Sequence, residues 1–208
     1  MHAAAEARLA KLCPLMRRLI RTHGPCTLEL EKRSPYEALV SAVAHQQLNG
    51  KAAQSILKRF RSLFPGTRFP APDKVLAASD DDLRGSGFSF SKVRAIRDIA
   101  ERTLSGIVPG RAAALKLSDE ILIERLTSLR GVGQWTVEML LIFTLGRGDV
   151  FPADDFGVRA GYRVAMNLDS MPSATQMREL SLRWQPHRTL AAWYLWRTAD
   201  AAKPVKTK

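Results

Sequence analysis

Apolar residues recur at three- and four-residue spacings along most of the chain, with polar residues between them. This period matches the α-helix, in which side chains three or four positions apart share a face. The pattern predicts an all-α fold, with a possible short extended piece at 28–30. Helices are predicted over residues 3–20, 36–43, 52–63, 93–104, 119–129, 135–145, 156–166, 175–184 and 190–201.

Capping residues mark where two of these helices begin. Ser118 precedes an apolar run, and Ser173 is followed three residues later by Gln176, which is the spacing of a capping box. Loops are predicted where glycine, proline and serine cluster, at 65–66, 69–72, 85–87 and 109–110. None of these loops is long enough to link separate domains, so residues 1–208 are expected to form a single unit.

The segment 129–136, Leu-Arg-Gly-Val-Gly-Gln-Trp-Thr, joins two predicted helices through a Gly-x-Gly turn. Glycine lets the backbone turn sharply and approach a ligand closely. The amides at the start of the following helix, with the helix dipole behind them, favour an anion. The segment is therefore predicted to hold a phosphate, and the acidic pair Asp154 and Asp155 at the next helix start suggests chemistry nearby.

The composition favours a folded protein with a polyanionic partner. The chain has 208 residues, of which 46% are hydrophobic, and its net charge is +12. Nucleic acid is the leading partner for such a charge, although a solvated basic surface explains the charge alone equally well. The sequence has no uncharged apolar run long enough to predict a membrane span. The residues before Cys26 contain no hydrophobic core typical of a signal peptide. A cytoplasmic location is expected, nucleoid-associated if the source is bacterial.

Cysteine and histidine are too sparse to predict a metal site. The chain has two cysteines, too few for a disulfide framework or a four-cysteine iron–sulfur or zinc site. Its four histidines are scattered without ligand spacing. The sequence therefore predicts neither a metal nor an organic cofactor.

Four segments together carry a family resemblance. They are Leu-Arg-Gly-Val-Gly-Gln-Trp-Thr at 129–136, Asp-Val-Phe-Pro-Ala-Asp-Asp-Phe-Gly-Val-Arg at 149–159, Arg-Trp-Gln-Pro-His-Arg at 183–188 and Ala-Ala-Trp-Tyr-Leu-Trp-Arg at 191–197. Together with 42–48 and 88–102, they resemble the helix-hairpin-helix DNA glycosylases. Within that superfamily the chain is similar to the DNA-3-methyladenine glycosylase II family, from about residue 35 to residue 200.

The resemblance implies two helical lobes with the active site in the cleft between them. Residues 36–150 would form one lobe, and residues 1–35 with 151–202 the other, leaving 203–208 as a basic tail. The implied partner is double-stranded DNA containing damaged bases. A monomer is expected, because the basic surface would be needed for DNA.

The resemblance also implies hydrolysis of the N-glycosidic bond of an alkylated purine, of the 3-methyladenine or 7-methylguanine type. The damaged nucleotide must be flipped out of the stack, because the bond is inaccessible within the duplex. The catalytic carboxylate of the family aligns with Asp155, which would stabilise the cationic sugar or orient water. Asp154 would then cap the helix. In the alternative interpretation, Asp155 is itself the cap.

Trp135 stands where bifunctional members of the superfamily carry a strand-cutting lysine. The resemblance therefore implies a monofunctional glycosylase without lyase activity. Trp135, Met139 and Trp196 align with the pocket for the base, where an aromatic face would attract a cationic methylated purine. Trp184 and Trp193 are expected in the core.

Two further groups of residues are assigned to DNA by the resemblance. Gln47 aligns with the side chain that fills the gap left by the flipped nucleotide; Leu48 is a close competitor, and an ordinary helix–helix turn is the remaining explanation. The hairpin backbone would hold a phosphate, with Lys92, Arg94 and Arg130 as suggested cations nearby. Family analogy, and not the sequence itself, suggests a monovalent cation at the hairpin carbonyls. The hairpin residues assigned to the DNA backbone are Gly131, Val132, Gly133, Gln134 and Thr136.

Two other functions stay open at this point. The chain could be a catalytically silent helix-hairpin-helix scaffold that binds damaged or branched DNA, although the carboxylate at Asp155 disfavours this. It could also be a glycosylase for deaminated or oxidised purines, which the pocket residues alone leave open.

Overall fold

Helices account for every regular element in the residues that the computed structural model describes, which are 2–48 and 50–203. This confirms the predicted all-α fold. The α-helices, in chain order, are α1 (Ala3–Leu12), α2 (Pro14–His23), α3 (Pro35–His45), α4 (Gly50–Ser62), α5 (Pro72–Ala77), α6 (Asp80–Gly85), α7 (Phe90–Leu104), α8 (Arg111–Ala114), α9 (Asp119–Thr127), α10 (Gln134–Met139), α11 (Phe156–Met166), α12 (Ala174–Ser181) and α13 (Arg188–Ala201). A π-helix (Leu140–Leu145) continues α10, and a 3₁₀-helix (Leu182–Trp184) follows α12. Of the predicted tail at 203–208, only Lys203 lies within the described residues.

Several helices begin or end at residues other than the predicted ones. The single helix predicted at 3–20 is wrong, because the chain breaks at Cys13, whose backbone is extended with φ −139° and ψ 117°. Pro14 disfavours the helical conformation in the residue before it and itself opens α2. Helices α5 and α8 were missed because six and four residues are too few to show a period. Residues 28–30 form neither helix nor strand.

The two predicted serine caps are confirmed. Ser118 Oγ accepts a hydrogen bond from the Ile121 amide at the start of α9. Ser173 Oγ accepts from the Gln176 amide, and the Gln176 side chain accepts from the Ser173 amide, which completes a capping box before α12.

The chain divides into two compact units. The central unit is Glu31–Leu145, and the terminal unit combines Met1–Leu30 with Gly146–Lys208. The lobe boundaries expected from the sequence fell after residues 35 and 150, whereas the units change over after residues 30 and 145. None of the helices in the described residues combines the length and apolarity needed to span a bilayer.

The central unit is built around α3 and α7. Val40 and Val43 of α3 and Ile99 of α7 have no exposed surface. Phe60 of α4 adds an aromatic cluster, with its ring 5.4 Å from that of Phe88 in an edge-to-face arrangement. This geometry suits the electrostatics of aromatic rings. The packing of α3 against α7 therefore fixes the positions of the loops at the ends of these two helices.

The terminal unit is built around α13, which packs against α1, α2 and α11. Trp184 and Trp193 are buried, as predicted. Helices α11 and α13 touch through their backbones, because a Cβ added at Gly161 would lie 1.9 Å from the carbonyl oxygen of Leu195. A side chain at position 161 would therefore hold the two helices apart.

We expect Gly161→Ala to lower the free energy of unfolding by about 1–3 kcal/mol, since overpacking a rigid contact has this cost. The expected sign is informative, because alanine in a helix otherwise stabilises by about 1 kcal/mol relative to glycine. Denaturant midpoints measure the change. Gly85→Ala is the matched control, as Gly85 also lies in a helix, α6, and a Cβ there meets nothing within 4 Å. A stabilised Gly161→Ala protein would contradict the proposed contact.

Candidate active site and nucleic-acid interface

Asp155 immediately precedes α11 and caps it. Its Oδ1 accepts a hydrogen bond from the Val158 amide at 2.8 Å and another from Trp196 Nε1 at 2.7 Å. The expectation that Asp154 caps this helix is wrong. Asp155 has the extended backbone that an N-cap requires, whereas the exposed Asp154 carboxylate pairs with Arg178 Nη2 at 2.7 Å. Capping and the predicted chemistry therefore fall on one carboxylate.

The segment leading to Asp155 is fastened to the start of α13. Arg188 donates through Nε to Asp149 Oδ1 at 2.9 Å and through Nη2 to Oδ2 at 3.0 Å. The Val150 amide donates to Thr189 Oγ1 at 3.0 Å. A bidentate arginine–carboxylate pair fixes geometry as well as charge. These hydrogen bonds thus fix the position of the loop before α11 relative to α13, the helix that carries Trp196.

A pocket of about 560 Å³ lies beside Asp155 and Trp196 within the terminal unit. Small-molecule sites typically enclose about 300–1,000 Å³, a range that includes this volume. Sequence reasoning missed Phe156, which lines the pocket and is 73% exposed. An aromatic residue at the first position of a helix, next to a candidate carboxylate, was the available signal. The other apolar lining residues include Ala160, Val164 and Met171, and the charged ones include Arg163 and Asp200.

Trp135 and Met139, the other predicted pocket residues, lie on α10 in the central unit. They are four positions apart and so share a helix face. Trp135 is 47% exposed and Met139 is half-buried. The π-helix begins directly after Met139, and such segments frequently accompany functional sites. Their contact with a base stays a prediction.

The Gly-x-Gly hairpin is held by α7 and by the end of α3. Gly131 has a φ of +73°, a conformation that favours glycine, and a Cβ there would lie 3.3 Å from Ala95 Cβ. Asp98 Oδ2 accepts a hydrogen bond from the Arg130 amide at 2.8 Å. Gln46 Nε2 donates to the Gly131 carbonyl at 2.8 Å. The turn is therefore fixed in shape from both sides.

The residues assigned to the DNA backbone differ in what their amides can do. The Val132 amide donates to the Leu129 carbonyl at 3.2 Å, and the Thr136 amide to the Gly133 carbonyl at 3.0 Å. Both Val132 and Thr136 are buried. Gly133 and Gln134 are exposed at the start of α10, where helix amides have no intrahelical acceptor. These two residues suit a phosphate best.

Lys92, one of the suggested phosphate cations, makes hydrogen bonds within the protein. Its Nζ donates to the carbonyls of Ala44 and Gln46 at 3.0 and 2.8 Å, at the C-terminal end of α3. Burial lowers the pKa of this ammonium group. The side chain is thus a clamp on the loop that follows α3, whereas Arg94 and Arg130 are exposed.

Gln47 and Leu48, the predicted gap-filling residues, follow directly after Gln46 and are both exposed. Gln47 has a φ of +58°, which is uncommon for a residue other than glycine. Such backbone strain tends to occur at functional sites. The gap-filling role stays a prediction for both residues, and the neighbouring Asn49 lies outside the described residues.

Within the described residues, no group of three or more histidine, cysteine, aspartate or glutamate side chains could hold a metal ion. A monovalent cation at the hairpin would use backbone carbonyls instead. Two of these already accept hydrogen bonds, Leu129 from Val132 and Gly131 from Gln46. The cation stays a prediction.

A helical chain with a glycine hairpin opening one helix, and a capping aspartate beside a pocket, has the features of the helix-hairpin-helix class of DNA-binding proteins. Residues 40–187 match the family model described as HhH-GPD superfamily base excision DNA repair protein. The chain belongs to this superfamily, as the sequence segments indicated.

Individual relatives agree with this assignment. The chain is 44% identical to DNA-3-methyladenine glycosylase 1 of Schizosaccharomyces pombe, over 98% of this chain and 92% of that protein. The solved structure of S. pombe 3-methyladenine DNA glycosylase (Mag1) with abasic DNA superposes with a TM-score of 0.86 at 44% identity, covering 96% of this chain and 98% of that one. DNA-3-methyladenine glycosidase of Bacillus halodurans gives a TM-score of 0.82 at 31% identity, covering 92% and 86%.

The two hydrogen bonds to Asp155 predict different costs for two substitutions. Asp155→Ala removes both, and we expect a loss of about 1–2 kcal/mol in the free energy of unfolding. Asp155→Asn keeps an acceptor oxygen, and asparagine caps helices as well as aspartate, so little change is expected. Chemical denaturation of the two variants and the wild type tests this, and equal losses in both would show that the cap is not what stabilises.

Proposed function

We propose that the chain is a monofunctional DNA glycosylase. It excises alkylated purines, of the 3-methyladenine and 7-methylguanine type, from double-stranded DNA in base excision repair. The observation that carries this is the Asp155 carboxylate, held by two hydrogen bonds beside a pocket, in a chain 44% identical to a 3-methyladenine glycosylase over 98% of its length. We expect it to act in the compartment that holds the DNA.

Cleavage of the N-glycosidic bond of such a base needs little acid catalysis from the protein. An alkylated purine of this type already carries positive charge, so it leaves as a neutral base with the electron pair of the N-glycosidic bond. Positive charge then develops on the deoxyribose, where the carboxylate of Asp155 stabilises it or orients the attacking water. The water oxygen bonds to the sugar carbon, and one proton is released, leaving an abasic site.

Access to this bond requires the nucleotide to leave the stack, which has an energetic cost that is smallest for a damaged base. Gln47 or Leu48 would occupy the vacated space. Trp196, which lines the pocket beside Asp155, would present an aromatic face to the flipped base, and such a face attracts a cationic ring by about 0.5–2 kcal/mol. Selectivity for alkylated purines would then come from charge and from the ease of flipping.

Binding would rely on the DNA backbone. The amides of Gly133 and Gln134 at the start of α10 would hold one phosphate, with the helix dipole adding to the attraction. The net charge of +12 supplies the general attraction to a polyanion.

We expect the wild-type protein to release free 3-methyladenine or 7-methylguanine from methylated duplex DNA, measured by chromatography of the liberated base. Asp155→Asn should lose at least about 10²–10³ in rate, the cost of removing a key electrostatic group. This variant keeps the cap, so its folding and DNA affinity serve as internal controls. Equal rates would remove Asp155 from the mechanism. No release by the wild type would favour the scaffold alternative.

Position 135 is a tryptophan and not the lysine of the bifunctional glycosylases, so we expect that no Schiff base forms with the sugar. Incubation with damaged or abasic DNA in the presence of borohydride should therefore leave no covalent protein–DNA adduct on a denaturing gel. A lyase-competent helix-hairpin-helix glycosylase is the positive control. A trapped adduct would show that the enzyme is bifunctional.

A further inference from the structure

Trp196 has a polar contact that a simple wall of the base pocket would not need. Its indole Nε1 donates to Asp155 Oδ1 at 2.7 Å, and its ring lies beside Gly157. We propose that Gly157 is a positioning residue: by leaving the space beside the indole empty, it lets Trp196 hold the Asp155 carboxylate in its reactive orientation. This inference rests on the proposed glycosylase function.

The space at Gly157 is bounded by the two hydrogen-bonding groups themselves. A Cβ at this position would lie 2.9 Å from Trp196 Cδ1, 3.1 Å from Asp155 Oδ1 and 3.3 Å from Trp196 Nε1. The first distance is shorter than carbon atoms tolerate, and the others are tight. The indole is a rigid ring, so it has no flexible end that could swing aside. A methyl group would therefore push Trp196 away from Asp155.

The backbone gives no separate reason for glycine at this position. Gly157 lies in the first turn of α11, and its φ is outside the left-handed range that favours glycine. Glycine within a helix destabilises it relative to alanine. Empty space is therefore the physical property that glycine supplies here.

Gly161, one turn further along α11, shows how closely the backbones of α11 and α13 approach each other. A Cβ there would lie 1.9 Å from the carbonyl oxygen of Leu195, the residue before Trp196. The two glycines thus leave room for different parts of α13, its backbone and a side chain. Gly161 lets the helix backbones touch, and Gly157 then clears the indole ring. A substitution at Gly157 consequently tests the side-chain contact without separating the helices.

Two donors from different helices fix the carboxylate more tightly than one. The Val158 amide belongs to the helix that Asp155 caps, whereas Trp196 belongs to α13, and both bonds end on Oδ1. Without the indole donor, the carboxylate loses its hydrogen bond to α13. Misplacement of a reacting group by about 1 Å can lower a rate by about 10². Loss of the indole donor should therefore slow the chemical step and leave DNA binding intact.

The test compares Gly157→Ala, Trp196→Phe and the double variant with the wild type. Single-turnover release of 7-methylguanine, with enzyme in excess, gives the chemical rate, and fluorescence anisotropy gives the affinity for DNA. Gly85→Ala is the matched control, because Gly85 also lies in a helix, outside the terminal unit, and a Cβ there meets nothing within 4 Å. Phenylalanine keeps an aromatic face for the base but removes the N–H donor together with part of the ring surface, so Gly157→Ala, which leaves the whole indole in place, is needed to separate positioning from stacking.

We expect each single variant to lose about 10–100-fold in rate with unchanged DNA affinity. The double variant should be no slower than Trp196→Phe, because the methyl group at 157 then has no hydrogen bond left to break. Full activity in Trp196→Phe or Gly157→Ala would overturn the proposal, as would multiplicative losses in the double variant. If Gly157→Ala does not fold, Trp196→Phe alone still decides the role of the donor.

The geometry has a readout that is independent of activity. The indole N–H resonance of Trp196, assigned by its loss in Trp196→Phe, should shift and exchange faster in Gly157→Ala than in the wild type. An unmoved resonance would overturn the inference. A shifted resonance in a protein whose wild type releases no base would uphold the contact and overturn the proposed function.

Discussion

The carboxylate of Asp155 is the point on which the terminal unit's site depends. Through a single oxygen it ends helix α11, by accepting the Val158 amide, and joins that helix to α13, by accepting the indole N–H of Trp196. The pair formed by Asp149 and Arg188 fixes the preceding loop to the other end of α13. The carboxylate proposed to act in catalysis is thus held by the same contacts that order the surrounding helices.

Capping and the proposed catalysis are compatible demands on this residue. A helix N-terminus attracts negative charge, and a developing sugar cation would do the same. Considering the two roles as alternatives, as the sequence invites, leads to the assignment of the cap to Asp154. In the structure Asp154 pairs with Arg178 instead, so Asp155 is available for both tasks.

The central unit uses polar side chains as internal supports for the segments assigned to DNA. Asp98 and Gln46 hold the hairpin, and Lys92 hydrogen-bonds to the end of α3, before Gln47. A basic residue near the hairpin can therefore have a structural contact within the protein. The net charge indicates the kind of partner, but it does not say which cations face it.

The helical class, the serine caps at Ser118 and Ser173 and the hairpin could all be predicted from the sequence, because each depends on residues within a turn or two of one another. Family motifs added Asp155 as the candidate carboxylate. Tertiary structure alone decided that Trp196, 41 positions away, donates to it, and that Gly157 keeps the space between them clear. Contacts of this kind depend on how closely α11 and α13 approach, and a linear pattern of apolar residues carries no record of that distance.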